Sequence, residues 1–567
     1  MTHAPAHAAP HAAGQPAAPT GPHAAPDAAP DAAPREAARP APLTVLVRAV
    51  RRHVPARLLP ALAVLALLAY PASPGAEGAT PADAASAVLV LTVALRLLRE
   101  RRGDGGGGEG RVSGESRRTG GTAETRETGR PHAPQAPFTP GAPLTPRAAL
   151  LLGVPVLALA LAALGAADAA TGIAGLGRYL QIFVLVPAAL LLSLRDPRDL
   201  RVLAWGLVAL ALAEGGVGVV QYLTGSGASY MGEDIRAVGT FGPGDVMGMA
   251  TVVAYGLVAA SGLALARPGE APRLQRPLAA ACAAALLVPL ALSFSRGAWI
   301  ATAAVLGLQL LGAGPRRALK VLAAASAAAV VLVGGLGIGS AMLQERLSSI
   351  TKVTAAPDQS VTDRYTMWAA AGDMWREHPV TGVGLKGFPA HRDSHASLAL
   401  SAGSDTAGAG QDFRVQALLS PHDMYLLVLS EQGLIGLTAL GGCWAALLVL
   451  GVRRLVGTHR SPFPRRRPLD CGLVACGLLL WQLVDFVYAD IGGPATVMTA
   501  FALGLAAWWG LGVRYGAERP DAEGAEPTRV RGTAGLAPCE AERRPAPYAA
   551  PRPAGHPASQ PSERRTP

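Results

Sequence analysis

Long apolar segments alternate along this chain with short polar gaps, and basic residues crowd some gaps while missing from those between. Half of the 567 residues are hydrophobic, only 16% are charged, and the mean hydropathy is +0.30. The gaps at 73–83, 166–175 and 489–494 contain no Lys or Arg. Short basic loops tend to stay in the cytoplasm, so this alternation is typical of a chain that crosses a membrane many times. A soluble α/β enzyme, a disulfide scaffold and a fully disordered chain are excluded.

The formal net charge of +11 therefore indicates membrane topology, and no nucleic-acid partner is predicted. Cysteine usage agrees with this interpretation. Cys282, Cys443, Cys471 and Cys476 lie in apolar runs and Cys539 lies in the C-terminal tail, so no disulfide framework is implied.

At about 20 residues per span, the apolar runs predict an all-α, polytopic integral membrane protein with about twelve transmembrane helices. Both termini are predicted to be cytoplasmic in a multi-pass protein of the cell membrane. The predicted spans are 57–73, 84–98, 148–167, 176–194, 202–222, 244–266, 278–294, 297–313, 319–339, 424–450, 470–488 and 495–513.

Composition divides the chain into five parts. Segments rich in Ala, Pro, Gly and Arg bury too little apolar surface to offset the entropy of ordering, so both tails are predicted to be disordered and the internal insert flexible. The parts are a cytoplasmic N-terminal tail (1–41), a two-helix membrane segment (42–98), a cytoplasmic linker (99–147), the main membrane domain (148–513) and a cytoplasmic C-terminal tail (514–567).

The longest external segment is 340–421, with 82 residues and mixed charge. Thr362 or Asp363 can cap a helix that runs to about Glu377. Either this helix lies on the outer membrane surface, with its aromatic side chains among the headgroups, or it packs as a lid that binds no ligand. The aromatic residues spaced to share one face are Tyr365, Trp368 and Trp375.

Several polar residues converge on the external side. Arg296 sits at the tip of a predicted hairpin, and Arg236 lies in the 223–243 loop, where basic residues run against the usual charge asymmetry. His422 lies where the long loop re-enters the membrane. Two interpretations stay open from spacing alone: these residues form a site, or the arginines extend to phospholipid headgroups and the histidine merely begins a helix.

Five motifs resemble the bacterial O-antigen ligase and polymerase superfamily, over about residues 200–510. That family commonly has Asn where this chain has Asp245 and Asp423. The motifs are R-A-V-G-T-F-G-P-G-D at 236–245, S-F-S-R-G-A-W at 293–299, D-R-Y-T-M-W-A-A-A at 363–371, H-P-V-T-G-V-G-L-K-G-F at 378–388 and P-H-D-M-Y-L-L-V-L-S-E-Q-G-L-I-G-L at 421–437.

The resemblance implies a membrane glycosyltransferase that moves a glycan from a polyprenyl diphosphate carrier to an acceptor hydroxyl on a glycan, a lipid or a wall component. The family's essential loop histidine matches His422, and its diphosphate-binding arginines match Arg296, Arg364 and Arg236. Membrane lipids are the other expected partner. The supporting candidates are Asp423, Tyr425, Glu431 and Lys386.

Residue chemistry agrees with this expectation. Arginine stays charged and can bind phosphate oxygens with two donors, while histidine can accept a hydroxyl proton near neutral pH. Arg296, Arg364 and His422 are expected to line one cavity at the external membrane edge. No external D-x-D motif occurs, and His391 and His395 are expected to be solvated, so we predict inverting transfer without a metal or cofactor.

A glycine motif and a set of intramembrane acids allow other interpretations of the sequence. Gly382, Gly384 and Gly387 spell G-x-G-x-x-G but follow a helix outside the cell, so a tight turn is predicted rather than a dinucleotide site. An alternative function is a transporter or a lipid-glycan flippase that uses intramembrane acids as a proton relay. No internal repeat supports it, and it leaves the long loop unexplained. Its acids would be Glu214, Glu431 and Asp485.

Overall fold

The computed structural model describes residues 54–70, 80–105, 145–230, 236–245, 247–329, 359–401, 403–408, 414–416, 418–459 and 468–511. The predicted tails and most of the linker lie outside these ranges. The helices are α1 (Leu59–Leu68), α2 (Pro81–Gly105), α3 (Pro146–Leu164), α4 (Ala169–Ser193, with a π-helical turn at Gln181–Leu185), α5 (Pro197–Thr224), α6 (Gly248–Ala264), α7 (Gln275–Leu292), α8 (Arg296–Ala313), α9 (Pro315–Ala329), α10 (Gln359–Glu377), α11 (Phe388–His395), α12 (Met424–His459), α13 (Leu469–Asp485) and α14 (Val497–Leu511).

Within the described residues, seven helices are long and apolar enough to cross a membrane: α2, α3, α4, α5, α7, α8 and α12. Three shorter apolar helices begin at Ala56, Gly248 and Val497. Each predicted span overlaps a helix, and the structure supports a helical, multi-pass membrane protein. The number of twelve crossings stays a prediction.

Two of the central helices, α6 and α14, are almost completely buried. Nearly every side chain of α6 and α14 is buried, as expected for helices that are apolar on all faces. The α6 helix packs against α5, α7 and α13. A Cβ atom on Gly256 would lie 2.1 Å from the Ala211 Cβ, so the small residue allows α5 and α6 to approach closely.

Buried ion pairs join the helix ends that the charge pattern assigns to the cytoplasm. Arg201 donates through Nε and Nη2 to the two carboxylate oxygens of Asp470, at 2.7 and 2.9 Å. Gln275 also donates to Asp470, at 3.0 Å, and Arg57 pairs with Asp199 at 2.7 Å. The helices α5, α7 and α13 are therefore joined at one carboxylate.

The predicted loop helix is present as α10, but it begins earlier and packs differently. Because it starts at Gln359, neither Thr362 nor Asp363 is its cap. Asp363 instead accepts hydrogen bonds from the Ser401 amide at 2.8 Å and hydroxyl at 2.6 Å. One face of α10, which includes Met367 and Met374, is buried, and the helix contacts α12. This packing argues against a helix that lies free on the membrane surface, and it leaves ligand binding by α10 open.

The described residues are mostly helical, in agreement with the predicted all-α fold class. A small antiparallel sheet accompanies the helices, and its strands β1 (Ala228–Tyr230), β2 (Ser404–Gly408) and β3 (Arg414–Gln416) lie in the order β1-β2-β3. Strand pairing satisfies backbone groups in segments that enter no helix. The helix α2 continues to Gly105, past residue 99, the predicted start of the linker. Arginine and glutamate at that end favour helix.

The α12 helix is interrupted at Gly433, whose φ is 62° and ψ is −160°. Backbone amides of the segment that follows α10 replace part of the missing hydrogen bonding. The Val383 amide donates to the Ser430 carbonyl at 2.9 Å, and the Gly384 amide donates to the Glu431 carbonyl at 3.0 Å. The long loop is thus fixed to the membrane domain at a break in a helix.

The predicted tight turn is found at this contact. Gly382 and Gly384 have φ of 68° and 94°. A Cβ on Gly382 would lie 2.4 Å from the Glu431 carbonyl carbon, so no larger residue fits the turn.

Substitution of Asp470 by alanine tests the buried ion pair. It leaves Arg201 buried without its carboxylate, and we expect a loss of about 3–5 kcal/mol in stability. The midpoint of thermal unfolding of the detergent-purified protein should fall clearly. Arg198→Ala, at an exposed arginine on the same turn of α5, is the control and should leave the midpoint unchanged. An equal midpoint for both variants would contradict the assignment.

Candidate functional site

His422 lies in the turn that directly precedes α12. Its φ is 51°, a backbone conformation that a non-glycine residue adopts at some energetic cost. The side chain is 43% exposed. The next residue, Asp423, caps α12 by accepting a hydrogen bond from the Leu426 amide at 2.8 Å. The Asp423 carboxylate therefore serves as the N-terminal cap of α12.

The turn is held by the loop that connects α13 and α14, residues 486–496, named here the α13–α14 loop. The Met424 amide donates to the Phe486 carbonyl at 2.8 Å. The Ser420 hydroxyl donates to the Asp490 carboxylate, whose other oxygen accepts from the Gly492 amide at 2.8 Å. His422 Nδ1 lies 3.9 Å from Asp490 Oδ2. Asp490 is thus the acidic neighbour of the imidazole.

Three influences set the pKa of His422. Desolvation by the surrounding protein lowers it most, the Asp490 carboxylate opposes this by raising it, and the Arg364 guanidinium lowers it. The net effect is a pKa below the ordinary value, which leaves the imidazole largely neutral near pH 7.

The α10 helix brings Arg364 to the same place. Its Nη1 donates to the Tyr488 carbonyl in the α13–α14 loop at 3.1 Å. One turn further along, Trp368 Nε1 donates to the Pro421 carbonyl at 2.8 Å, directly before His422. The helix therefore contacts both the histidine turn and the α13–α14 loop.

Arg296 is the first residue of α8, and its side chain is exposed. Ser295 caps this helix by accepting from the Ala298 amide at 3.2 Å. Gly297 lies against the ring of Tyr488, since a Cβ added there would be 2.5 Å from Cε2. Tyr488 therefore contacts both Arg364 and the residue that follows Arg296.

Arg236 lies on a neighbouring loop and is half-buried. The Ala237 amide donates to the Leu292 carbonyl at 3.2 Å, which places this loop beside the end of α7. At its other end, Asp245 Oδ2 lies 3.5 Å from the Ala495 amide.

The other supporting candidates make structural contacts. The Tyr425 hydroxyl donates to the Leu483 carbonyl at 2.8 Å, and its ring packs edge-on against Phe486 with centroids 6.3 Å apart. Glu431 Oε1 accepts from the Phe388 amide at 3.2 Å, and Lys386 is exposed on the same turn with φ of 61°. Glu431 therefore fixes the loop that follows α10.

His391 and His395 are engaged locally. The ring of His391 hydrogen-bonds to the Gly387 carbonyl at 2.9 Å, and that of His395 contacts Glu377 at 3.1 Å. In the part of the chain that the structure describes, no three His, Cys, Asp or Glu residues group as metal ligands.

Sequence reasoning missed the α13–α14 loop. Tyr488 directly precedes the gap at 489–494 and Asp490 lies inside it, and the charge pattern of this gap predicts only topology. An acid beside a Gly-Gly-Pro turn in an external gap was the available signal. Nothing in the spacing indicated that this loop would touch residues 420–424.

The opposing charges around His422 predict opposite effects of two substitutions. Asp490→Asn removes a neighbouring negative charge, so the pKa of His422 should fall further. Arg364→Gln removes a positive charge, so the pKa should rise. The pH dependence of diethyl pyrocarbonate modification, followed on the His422 peptide by mass spectrometry, reads this titration directly. Shifts in the same direction for both variants would refute the arrangement.

Residues 281–441 match the family model described as O-Antigen ligase. No curated protein is significantly similar to the chain. The matched segment contains Arg296, Arg364 and His422, whereas the α13–α14 loop lies beyond it. The family suggests membrane glycan ligase or polymerase activity, with lipid-linked glycans and polysaccharide acceptors as partners in general. The match of this segment therefore supports a relationship to the O-antigen ligase and polymerase superfamily.

Proposed function

We propose that the protein transfers a glycan from a polyprenyl diphosphate carrier to an acceptor hydroxyl on the external face of the cell membrane. The observation that carries this proposal is the imidazole of His422, 3.9 Å from the Asp490 carboxylate, in a turn that is also contacted by α10, the helix that carries Arg364. A neutral base, an acid that stabilises its protonated form and a cation for an anionic leaving group are the groups that such a transfer requires.

The donor must carry its own activation energy, because nucleotide sugars are confined to the cytoplasm. A lipid-linked diphosphate meets this need and leaves as an anion. Arg364 and Arg296 are proposed to bind its phosphate oxygens, and Arg236 is proposed to assist from the neighbouring loop. Guanidinium groups suit this role because they stay charged and donate in a planar fork.

In the proposed reaction, the acceptor oxygen attacks the anomeric carbon while the bond from that carbon to the phosphate oxygen breaks. The diphosphate leaves with the bonding electrons, and the acceptor's proton passes to His422. Asp490 lies on the Nδ1 side of the ring, so Nε2 is the proposed proton acceptor. A single displacement inverts the anomeric centre and, with arginines carrying the charge, proceeds without a metal.

The acceptor is left open between a second lipid-linked repeat unit, as in a polymerase, and a different lipid, a protein or a wall component, as in a ligase. The transporter alternative loses support from the contacts of its three acids. Glu214 accepts from the Thr240 amide at 2.9 Å and hydroxyl at 2.8 Å, and Asp485 accepts from Gln482 at 3.3 Å. Together with the Glu431 contact, these bonds favour structural roles.

His422→Ala should abolish the proposed base. General acid–base catalysis contributes about 10²–10⁴-fold, so glycan transfer should fall by at least that lower factor while binding of undecaprenyl diphosphate is retained. Transfer is measured in membranes that contain the lipid-linked glycan. His378→Ala is the control, since that histidine is exposed beyond the end of α10. Intact glycan assembly in His422→Ala would overturn the proposal.

The arginines should affect donor binding. Arg364→Ala and Arg296→Ala each remove charge-assisted hydrogen bonds to the diphosphate, and we expect affinity for undecaprenyl diphosphate to fall about tenfold or more. Arg376→Ala on α10 is the matched control, because its side chain is exposed and pairs with Asp373. Unchanged affinity in both test variants would exclude the assigned roles.

A further inference from the structure

Tyr488 lies between the two segments that carry the proposed diphosphate-binding arginines. On one side its ring covers Gly297, where an added Cβ would lie 2.5 Å from Cε2 and 2.7 Å from Cζ. On the other side its carbonyl accepts the hydrogen bond from Arg364 Nη1 at 3.1 Å. A single residue of the α13–α14 loop therefore contacts both α8 and α10.

The position of Tyr488 is itself fixed. Its amide donates to the Asp485 carbonyl at 3.0 Å, and the Ala489 amide donates to the same carbonyl at 2.9 Å, so the chain turns tightly at the end of α13. The Ala489 carbonyl in turn accepts from the Met424 amide at 3.1 Å. Tyr488 is thus held by the same turn that carries His422.

The Tyr488 ring explains why residue 297 is a glycine. Within a helix, alanine is favoured over glycine by about 1 kcal/mol, and residue 297 is the second residue of α8. The absence of a side chain there is what lets the aromatic ring reach the helix backbone. Gly307 on the same helix differs, because a Cβ added there would meet nothing within 4 Å.

We propose that Tyr488 is a positioning residue that sets the spacing between Arg296 and Arg364, so that both guanidinium groups reach one diphosphate. This inference rests on the proposed function of the two arginines. It assigns to the α13–α14 loop, outside the segment that matches the family, a part in recognising the carrier headgroup. The ring supplies the spacing on one side, and the carbonyl orients Arg364 on the other.

The test compares Gly297→Ala with Gly307→Ala in the full-length protein in detergent. The added methyl group at residue 297 displaces the ring, so affinity for undecaprenyl diphosphate should fall about tenfold, the effect of losing one charged contact. Gly307→Ala should bind as the unmodified protein does. Both variants should elute as folded protein with similar thermal midpoints.

Substitutions of Tyr488 complete the test. Tyr488→Phe keeps the ring and should retain affinity, whereas Tyr488→Ala should lose as much affinity as Gly297→Ala. The double variant Gly297→Ala/Tyr488→Ala should bind no worse than Tyr488→Ala alone, because the two changes act on one contact. A loss in Tyr488→Phe equal to that in Tyr488→Ala, or fully additive losses in the double variant, would overturn the positioning role.

Failure of this inference is distinguishable from failure of the proposed function. If Arg296→Ala and Arg364→Ala lose affinity but Gly297→Ala does not, the arginines bind the diphosphate without help from Tyr488. If neither arginine variant loses affinity, the proposed function itself fails.

Discussion

The end of the domain that carries His422 depends on the hydrogen bonds that join the His422 turn to the α13–α14 loop. The amide of Met424 bonds to the carbonyls of Phe486 and Ala489, and the Ser420 hydroxyl bonds to Asp490. Buried backbone groups must be paired, so these contacts fix the start of α12 against the end of α13. The same contacts place the Asp490 carboxylate beside the His422 imidazole. The hydrogen bonds that stabilise this part of the fold therefore also position the groups of the proposed reaction.

The sequence predicted most of the helices, and it singled out His422, whose catalytic role stays a proposal. Apolar runs locate helices because burial of a helix requires apolar faces over a span-length segment. It could not predict α10 packing, because aromatic spacing does not distinguish a headgroup-facing helix from one packed through Met367 and Met374. Asp490 was missed since its partner lies 70 residues away, and spacing along the chain carries no signal for such a contact.

Arginines in the basic gaps also have a structural role that the charge pattern does not predict. Several of them donate hydrogen bonds to carbonyls at the ends of helices. Arg317 donates to the Leu265 carbonyl at 3.0 Å, and Arg454 donates to the Trp509 carbonyl at 2.7 Å. Cations favour helix carboxyl ends, where carbonyls lack intrahelical partners. Arginines that the charge pattern interprets as markers of membrane orientation thus also stabilise the packed helices.

The break in α12 at Gly433 has a consequence for substrate access. The carbonyls of Ser430 and Glu431 are buried, and they obtain partners from Val383 and Gly384 of the long loop. Lifting that stretch of loop would strand these oxygens without donors, at a cost of several kcal/mol for each group left unsatisfied in an apolar setting. This stretch of the loop is therefore held firmly against α12, and under the proposed function the lipid-linked donor reaches the site without displacing it.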